Sequence, residues 1–312
     1  MYKSYSMELA GRTLTVDIGR VCAQANGAAL MHYGDTTVLS TCTASAQPRD
    51  GIDFFPLQVE YEEKMYAVGQ FPGGFKQREG RASDTAILTS RVIDRPMRPL
   101  FPKDFRNDVL LDNLVMSVDQ DCSPELLAML GSSLATAISN VPWDGPCAST
   151  QVGMINDEFI INPTNAEKTV SDLNLTVAST RDKVIMIEAG ANCISDDQMI
   201  EAIYKADEIN KQIISFFDSI IAECGKEKTP YESYAVPQAL FDKIKSIVPE
   251  AEMENAVFTD DKQQRDANMA EVGRYYYNSG AYNNSYDYNG STDETGTAKV
   301  GSYLPNAWGR YD

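Results

Sequence analysis

Residues 12–44 read RTLTVDIGRVCAQANGAALMHYGDTTVLSTCTA, and this stretch decides the fold class. Apolar and polar side chains alternate along it, which is typical of β-strands that have one buried face. Two turn signals, Ala25-Asn26-Gly27 and Tyr33-Gly34-Asp35, divide the stretch into about three strands. A β-sheet made of strands that are neighbours in sequence is therefore predicted near the start of the chain.

Strands and helices then follow one another. Further strands are predicted at residues 53–69, 108–118, 172–179 and 183–189, with a hairpin that turns at Asn156-Asp157. Helices are predicted at 82–94 with Ser83 as N-cap, from Ser123-Pro124-Glu125 to about Asn140, and from Ser195 to Cys224. Arg95-Pro96 is expected to end the first helix, because the residue before a proline disfavours helical backbone. This order indicates an α/β fold, an α+β layered core with mixed sheets over about 225 residues.

The composition changes after Cys224. Residues 225–237 are typical of a linker, and residues 237–272 indicate a short, charged helical segment. Residues 273–312 contain eight of the sixteen tyrosines and five asparagines, and they show little helical or strand periodicity. An irregular, poorly ordered tail is therefore expected from residue 273.

Charge and cysteine usage limit the class of protein. The 312 residues have a formal net charge of −18, one histidine and six cysteines at wide spacings without a CxxC pair. This pattern favours reduced thiols in a cytoplasmic protein over a zinc site or a disulfide framework. The sequence contains neither a run of apolar residues long enough to span a membrane nor a secretory signal, so no membrane partner is expected.

A basic window interrupts this acidic chain. Residues 71–81 read FPGGFKQREGR, and residues 76–106 contain eight Lys or Arg against four Asp or Glu, a local net charge of +4. An aromatic ring beside cations, here Phe75 with Lys76, Arg78 and Arg81, is how proteins hold single-stranded RNA without sequence choice. The alternative is that Phe75 packs on the domain and the cations are merely solvated.

Three further arginines, Arg91, Arg95 and Arg98, follow the helical spacing i, i+4 and i+7. They are candidates to bind RNA phosphates. They could equally line a subunit interface, or form ion pairs within this acidic chain, where Asp94 lies beside them.

Three strings carry a family resemblance: FFPLQVEYEEKMYAVGQFPGGFKQREGR (54–81), ILTSRVIDRPMRPLFP (87–102) and DQMIEAI (197–203). They resemble the first ribonuclease-PH-like core of the bacterial polynucleotide phosphorylase family, and the resemblance extends from Met1 to about Val272. It implies a ribosomal S5 domain 2-like core over residues 1–228 and a truncated all-helical linker domain over 229–272. The family's channel loop, Phe-x-x-Arg, corresponds to Phe75–Arg78.

The resemblance also implies a function. The family is a phosphorolytic 3′→5′ exoribonuclease and nucleotidyltransferase of mRNA degradation, which cleaves RNA with phosphate and releases nucleoside diphosphates. The full-length enzyme uses Mg²⁺ and works as a ring-shaped homotrimer around single-stranded RNA. Partners in the RNA-degradation machinery are a further expectation of the resemblance.

The residues that carry catalysis in this family belong to its second core, which is absent from this chain. A serine-rich turn holds phosphate there, whereas the matching turn here reads Cys122-Ser123-Pro124-Glu125, in which proline has no N–H and Glu125 repels phosphate. The positions of the metal-binding aspartates and of a lysine read Lys168, Asn174 and Thr176. No catalytic residue and no metal ligand is therefore expected, and this chain alone is expected to be inactive.

Two other motifs are expected to have structural roles. The GSSLA at 131–135 is expected to pack in mid-helix. His32 is expected to lie in a strand without a partner for general-base catalysis.

The tail resembles another family. VGSYLPNAWGRYD (300–312) resembles a piece of the formylglycine-generating, sulfatase-modifying family, but the tail contains no cysteine, so no such activity is expected.

Three functions stay open: the RNA-binding part of a phosphorylase, an oligomerisation or scaffold protein that binds no RNA, and a tail-driven oxidase-like or carbohydrate-binding module. The basic window favours the first over the second, and the missing cysteines argue against the third.

Overall fold

The structure, a computed structural model, describes residues 2–75, 77–247 and 250–278. The chain divides into two compact units, of which the first extends to Tyr234 and the second begins at Ala235. Within the described residues, no helix is long and apolar enough to cross a membrane.

A six-stranded sheet forms the first layer. Its strands are β1 (Lys3–Leu9), β2 (Arg12–Ile18), β3 (Gly27–Tyr33), β4 (Thr36–Ala44), β5 (Leu57–Glu63) and β6 (Val109–Ser117). The order is β1-β2-β3-β4-β6-β5, and all neighbours are antiparallel except the parallel pair β5–β6. The predicted strands of residues 12–44 are confirmed. β1 was not predicted, although Tyr5, Met7 and Leu9 alternate along it and Leu9 is buried.

Helix α1 (Asp84–Met97) joins the parallel strands β5 and β6, and Ser83 caps it by accepting a hydrogen bond from the Ala86 N–H. The prediction that Arg95-Pro96 ends this helix is wrong, because Pro96 lies inside its last turn. Pro96 and Met97 are both buried, and the Arg98 N–H still donates to the Asp94 carbonyl. Burial of these two side chains therefore offsets the one backbone hydrogen bond that proline removes.

Helix α2 (Pro124–Ile138) is the central helix, and every residue from Leu126 to Ile138 is buried. It contacts β3, β4 and β6 of the first sheet and also the second sheet. The predicted packing role of residues 131–135 is confirmed: a side chain at Gly131 would collide with Ser40, and the Ser132 hydroxyl donates to Asn113 Oδ1 at 2.8 Å.

The second sheet contains β7 (Ala148–Ile155), β8 (Glu158–Ile161), β9 (Leu173–Ser179) and β10 (Val184–Ala191), in the antiparallel order β10-β9-β7-β8. A short helix, α3 (Asn165–Val170), lies between β8 and β9 and was not predicted. The long helix α4 (Asp196–Cys224) covers β7 and β9, and its N-terminus is closed by a capping box of Ser195 and Gln198. The predicted hairpin turn, strands and long helix are confirmed, and with them the α/β class.

The second unit is helical, with α5 (Gln238–Ile247), α6 (Glu250–Val257) and α7 (Lys262–Asn278). The prediction of a helical segment is confirmed. The expectation of irregular structure from residue 273 is wrong for residues 273–278, since α7 continues through them. Gly273 costs about 1 kcal/mol relative to alanine in a helix but keeps its N–H, so it does not end one. The remainder of the tail, 279–312, lies outside the described residues.

Candidate nucleic-acid interface

The Phe75 loop, residues 69–83, follows the carboxyl end of β5. A 3₁₀ turn, Met65–Val68, comes before it, and Gly69 has the left-handed φ of 70° that glycine tolerates best. The segment after β6 leaves the same edge of the sheet, because β5 and β6 are parallel, and the Val118 N–H donates to the Ala67 carbonyl there at 3.3 Å. In sheets with parallel strands, the carboxyl edge is where ligand-binding loops gather.

Phe75 stands in solvent at the tip of this loop. Its relative exposure is 105%, and Phe71 is 90% exposed. In the part of the chain that the structure describes, neither ring contacts another ring. A Cβ atom at Gly73 or Gly74 would meet nothing within 4 Å, so the backbone beside Phe75 is open to a ligand. Phe75 does not pack on the domain.

The predicted cations fall into two groups. Arg78, Arg81 and Arg91 are exposed, and their side chains form no hydrogen bond or ion pair with any described residue. Arg95 pairs with Glu188 of β10, and Arg98 pairs with Asp94 at 2.9 Å. Lys76 lies outside the described residues, and its contact with RNA stays a prediction.

Arg98 has a structural role as well. Its guanidinium donates to the carbonyls of Phe55 at 3.3 Å and Leu57 at 3.1 Å, which ties the end of α1 to the start of β5. Arg95 and Arg98 therefore form ion pairs within the chain, which is one of the alternatives that the sequence left open. The three unpaired arginines are the cations free to meet a polyanion.

Acidic neighbours do not neutralise the loop. Glu79 directs its Oε1 to the backbone N–H of Met65 at 3.0 Å, and Asp84 lies at the N-terminus of α1. At physiological salt a surface field reaches only about 8–10 Å. Loop residues 69–83 contain Lys76, Arg78 and Arg81 against the single carboxylate of Glu79, so the loop has a local net charge of +2 within a chain of net charge −18.

The turn formed by residues 122–125 is satisfied within the chain. The Ser123 hydroxyl accepts from the Leu126 N–H, as predicted for an N-cap, and donates to the Glu125 carboxylate. Cys122 is buried, and burial raises the pKa of its thiol to about 11. A carboxylate thus occupies the N-terminus of α2, where an anion would otherwise be attracted.

Lys168, Asn174 and Thr176, the positions that match the family's metal-binding and lysine residues, do not provide a pair of carboxylates. Lys168 of α3 is half-buried, and desolvation lowers its pKa while the charge of Glu125 opposes this shift. Asn174 is exposed on β9, and Thr176 lies opposite Glu188. No group of three or more His, Cys, Asp or Glu able to hold a metal occurs among the described residues. An amide and an ammonium cannot replace carboxylates on Mg²⁺, so the residues present do not fit this metal.

His32, which was expected to have no partner for general-base catalysis, lies close to two polar side chains. Its Nδ1 lies 3.0 Å from Thr37 Oγ1, and its Nε2 lies 3.6 Å from the buried carboxylate of Asp17. Burial alone would raise the pKa of Asp17, but hydrogen bonds from Ser4, Arg20 and Tyr2 lower it below its ordinary value. The expectation that His32 has no partner is therefore wrong, since the pairing of β2 with β3 brings Asp17 to it.

Two sequence profiles of one family match the chain. The profile of the 3′ exoribonuclease family, domain 1, matches residues 10–142, and that of domain 2 of the same family matches residues 145–208. The chain belongs to the 3′ exoribonuclease family. The first match ends just after α2 and contains β2 to β6 with α1 and α2, while the second match contains the second sheet and the first half of α4.

Relatives within the family confirm the resemblance found in the sequence. The polyribonucleotide nucleotidyltransferase of Lachnoclostridium phytofermentans is 68% identical over 272 residues, which are 87% of this chain and 39% of that protein. The protein of the same name from Staphylococcus epidermidis is 50% identical over 267 residues, 86% of this chain and 38% of its own. The chain thus spans about two fifths of these relatives.

A solved structure supports the fold. The crystal structure of rice (Oryza sativa) Rrp46 matches with a TM-score of 0.56 at 15% identity, over 67% of this chain and 94% of that one. The predicted ribonuclease-PH-like core is therefore confirmed. Neither profile of the 3′ exoribonuclease family reaches the tail, whose resemblance to the sulfatase-modifying family stays a prediction.

Proposed function

We propose that this chain is the RNA-binding part of a phosphate-dependent 3′→5′ exoribonuclease, a polyribonucleotide nucleotidyltransferase that degrades mRNA. The observation that carries the proposal is the loop in which the fully exposed Phe75 stands beside the unpaired Arg78 and Arg81. High identity to relatives of that name supports it.

Single-stranded RNA fits this loop best. A base can stack on Phe75, while Arg78, Arg81 and Arg91 neutralise phosphates along the backbone. Stacking accepts every base, so binding is tolerant of sequence. A duplex would hide its bases from the ring, which favours an unpaired strand.

The chemistry lies in the family's second core, outside these 312 residues. That core supplies the phosphate cradle and the carboxylates for Mg²⁺, which would neutralise charge on the reacting phosphates. We further propose that the chain acts in a homotrimer in the cytoplasm with the RNA-degradation machinery. Its domains are then the core, 1–228, the truncated helical linker, 229–272, and the foreign tail, 273–312.

Phe75→Ala is the variant that tests this function. Loss of one stacked base is expected to weaken binding of labelled oligo(A) by about 1–3 kcal/mol, roughly 5- to 150-fold. Phe54→Ala is the matched control, because Phe54 is also an exposed ring. Phe54 precedes β5 and the Phe75 loop follows it, so the two sites lie at opposite ends of a seven-residue strand about 23 Å long. Wild-type protein that binds no oligo(A) would instead favour a scaffold that contacts no RNA.

A further inference from the structure

Phe71 is a second exposed ring that has no role so far. It precedes Phe75 by four residues and is 90% exposed. No described ring lies against it, and it is not part of the hydrophobic core. An exposed phenyl ring contributes none of the stabilisation that its burial would give, and this loop exposes two such rings.

The surroundings of Phe71 indicate which ligand would cover it. The loop also carries the unpaired Arg78 and Arg81, with Arg91 one helix turn beyond the exposed Leu88. A ring beside cations suits a base whose phosphates lie alongside. The local positive charge therefore favours a nucleic acid strand as the ligand.

The backbone between the two rings allows them to act together. Four residues span at most about 14 Å between the Cα atoms of Phe71 and Phe75. Gly73 and Gly74 lie between the rings, and a Cβ atom at either would meet no neighbour within 4 Å. The rings can thus approach bases that lie close together on one strand.

We propose that Phe71 is a second base-stacking residue, which forms a two-ring platform with Phe75 for a single strand. The inference rests on the proposed RNA-binding function and adds a residue to its site. Phe71 contacts a base and no phosphate, so it changes affinity without changing the number of counterions released.

The test compares Phe71→Ala, Phe71→Leu and Phe71→Trp with wild type, using labelled oligo(A) of about eight nucleotides, a length within known single-strand site sizes. Phe71→Ala and Phe71→Leu are expected to weaken binding roughly 5- to 150-fold, while Phe71→Trp retains it. The dependence of affinity on salt is expected to be the same in all four proteins. The chain already contains Trp143 and Trp308, so the signal is the emission that Phe71→Trp adds to theirs. Saturable quenching of this added emission by oligo(A), and not by polyphosphate, is the direct signature of stacking.

Several outcomes would overturn the inference. If Phe75→Ala weakens binding but Phe71→Ala does not, Phe71 is no stacking residue while the RNA-binding function stands. If Phe71→Leu binds as well as wild type, the site needs an apolar side chain and not a ring. If Phe71→Ala leaves RNA affinity unchanged but alters the sedimentation of the protein, the ring belongs to a contact between copies of the chain. Failure of wild type to bind any RNA removes the proposed function itself.

Discussion

Incubated with poly(A), Mg²⁺ and inorganic phosphate, this chain is expected to release no nucleoside diphosphate above background. Phosphorolysis depends on positioned donors and charge stabilisation around the attacking phosphate. In the turn that matches the family's phosphate turn, Ser123 is engaged in capping α2, and Glu125 contributes a carboxylate that would repel phosphate.

The expected loss is large. Removing a single oxyanion-type donor typically costs about 10²–10³ in rate. The positions matched to the family's phosphate turn, metal-binding aspartate and lysine read Ser123-Pro124-Glu125, Asn174 and Thr176 in this chain. The assay needs protein free of host enzyme, with a full-length relative alongside as positive control. Robust phosphate-dependent release by such protein would contradict this expectation and would show that residues of this chain outside those positions perform the reaction.

Gly27→Ala is expected to cause a large loss of stability. A Cβ atom at this first residue of β3 would lie 2.0 Å from the Ala135 carbonyl oxygen and 2.9 Å from Ser139 Cβ. The first obstacle is backbone of the fully buried α2, which cannot rotate away. Overpacking usually costs about 1–3 kcal/mol, and a backbone clash places this variant at or above the upper end.

Urea unfolding of the two glycine variants measures this effect. Gly190→Ala is the matched control, since a Cβ atom at this residue of β10 would meet nothing within 4 Å, and its change should stay within about 0.5 kcal/mol. Equal midpoints for the two variants would contradict the close approach of β3 to α2.

Local patterns in the sequence were sufficient for most of the fold. Alternation predicted β2, β3 and β4, and capping residues predicted where α1, α2 and α4 begin. The end of α1 was predicted wrongly because a local rule for proline was outweighed by burial of Pro96 in the core. β1 and α3 were missed although each has a local signal, the alternation of Tyr5, Met7 and Leu9 in β1 and the capping box of Thr164 and Glu167 in α3.

The same limit applies to the site. Composition and spacing singled out the Phe75 loop, because aromatic and cationic residues adjoin there in sequence. Composition and spacing could not show that Arg91 is unpaired while Arg95 forms an ion pair. The partner of Arg95, Glu188, is 93 residues away in sequence. Asp17 likewise reaches His32 only through the pairing of β2 with β3. Phe71 was visible in the sequence, but only its exposure distinguishes it from a core residue.

The central claim is that this acidic chain holds single-stranded RNA through Phe75, Arg78 and Arg81 of the loop and Arg91 of α1. The salt dependence of binding tests this claim most directly. Three phosphate contacts, at about −0.7 each on a single strand, predict that log K for oligo(A) falls with log salt at a slope near −2. Arg78→Ala is expected to make this slope shallower by about 0.7. Binding that is independent of salt, or a slope that Arg78→Ala and Arg81→Ala both leave unchanged, would contradict the account.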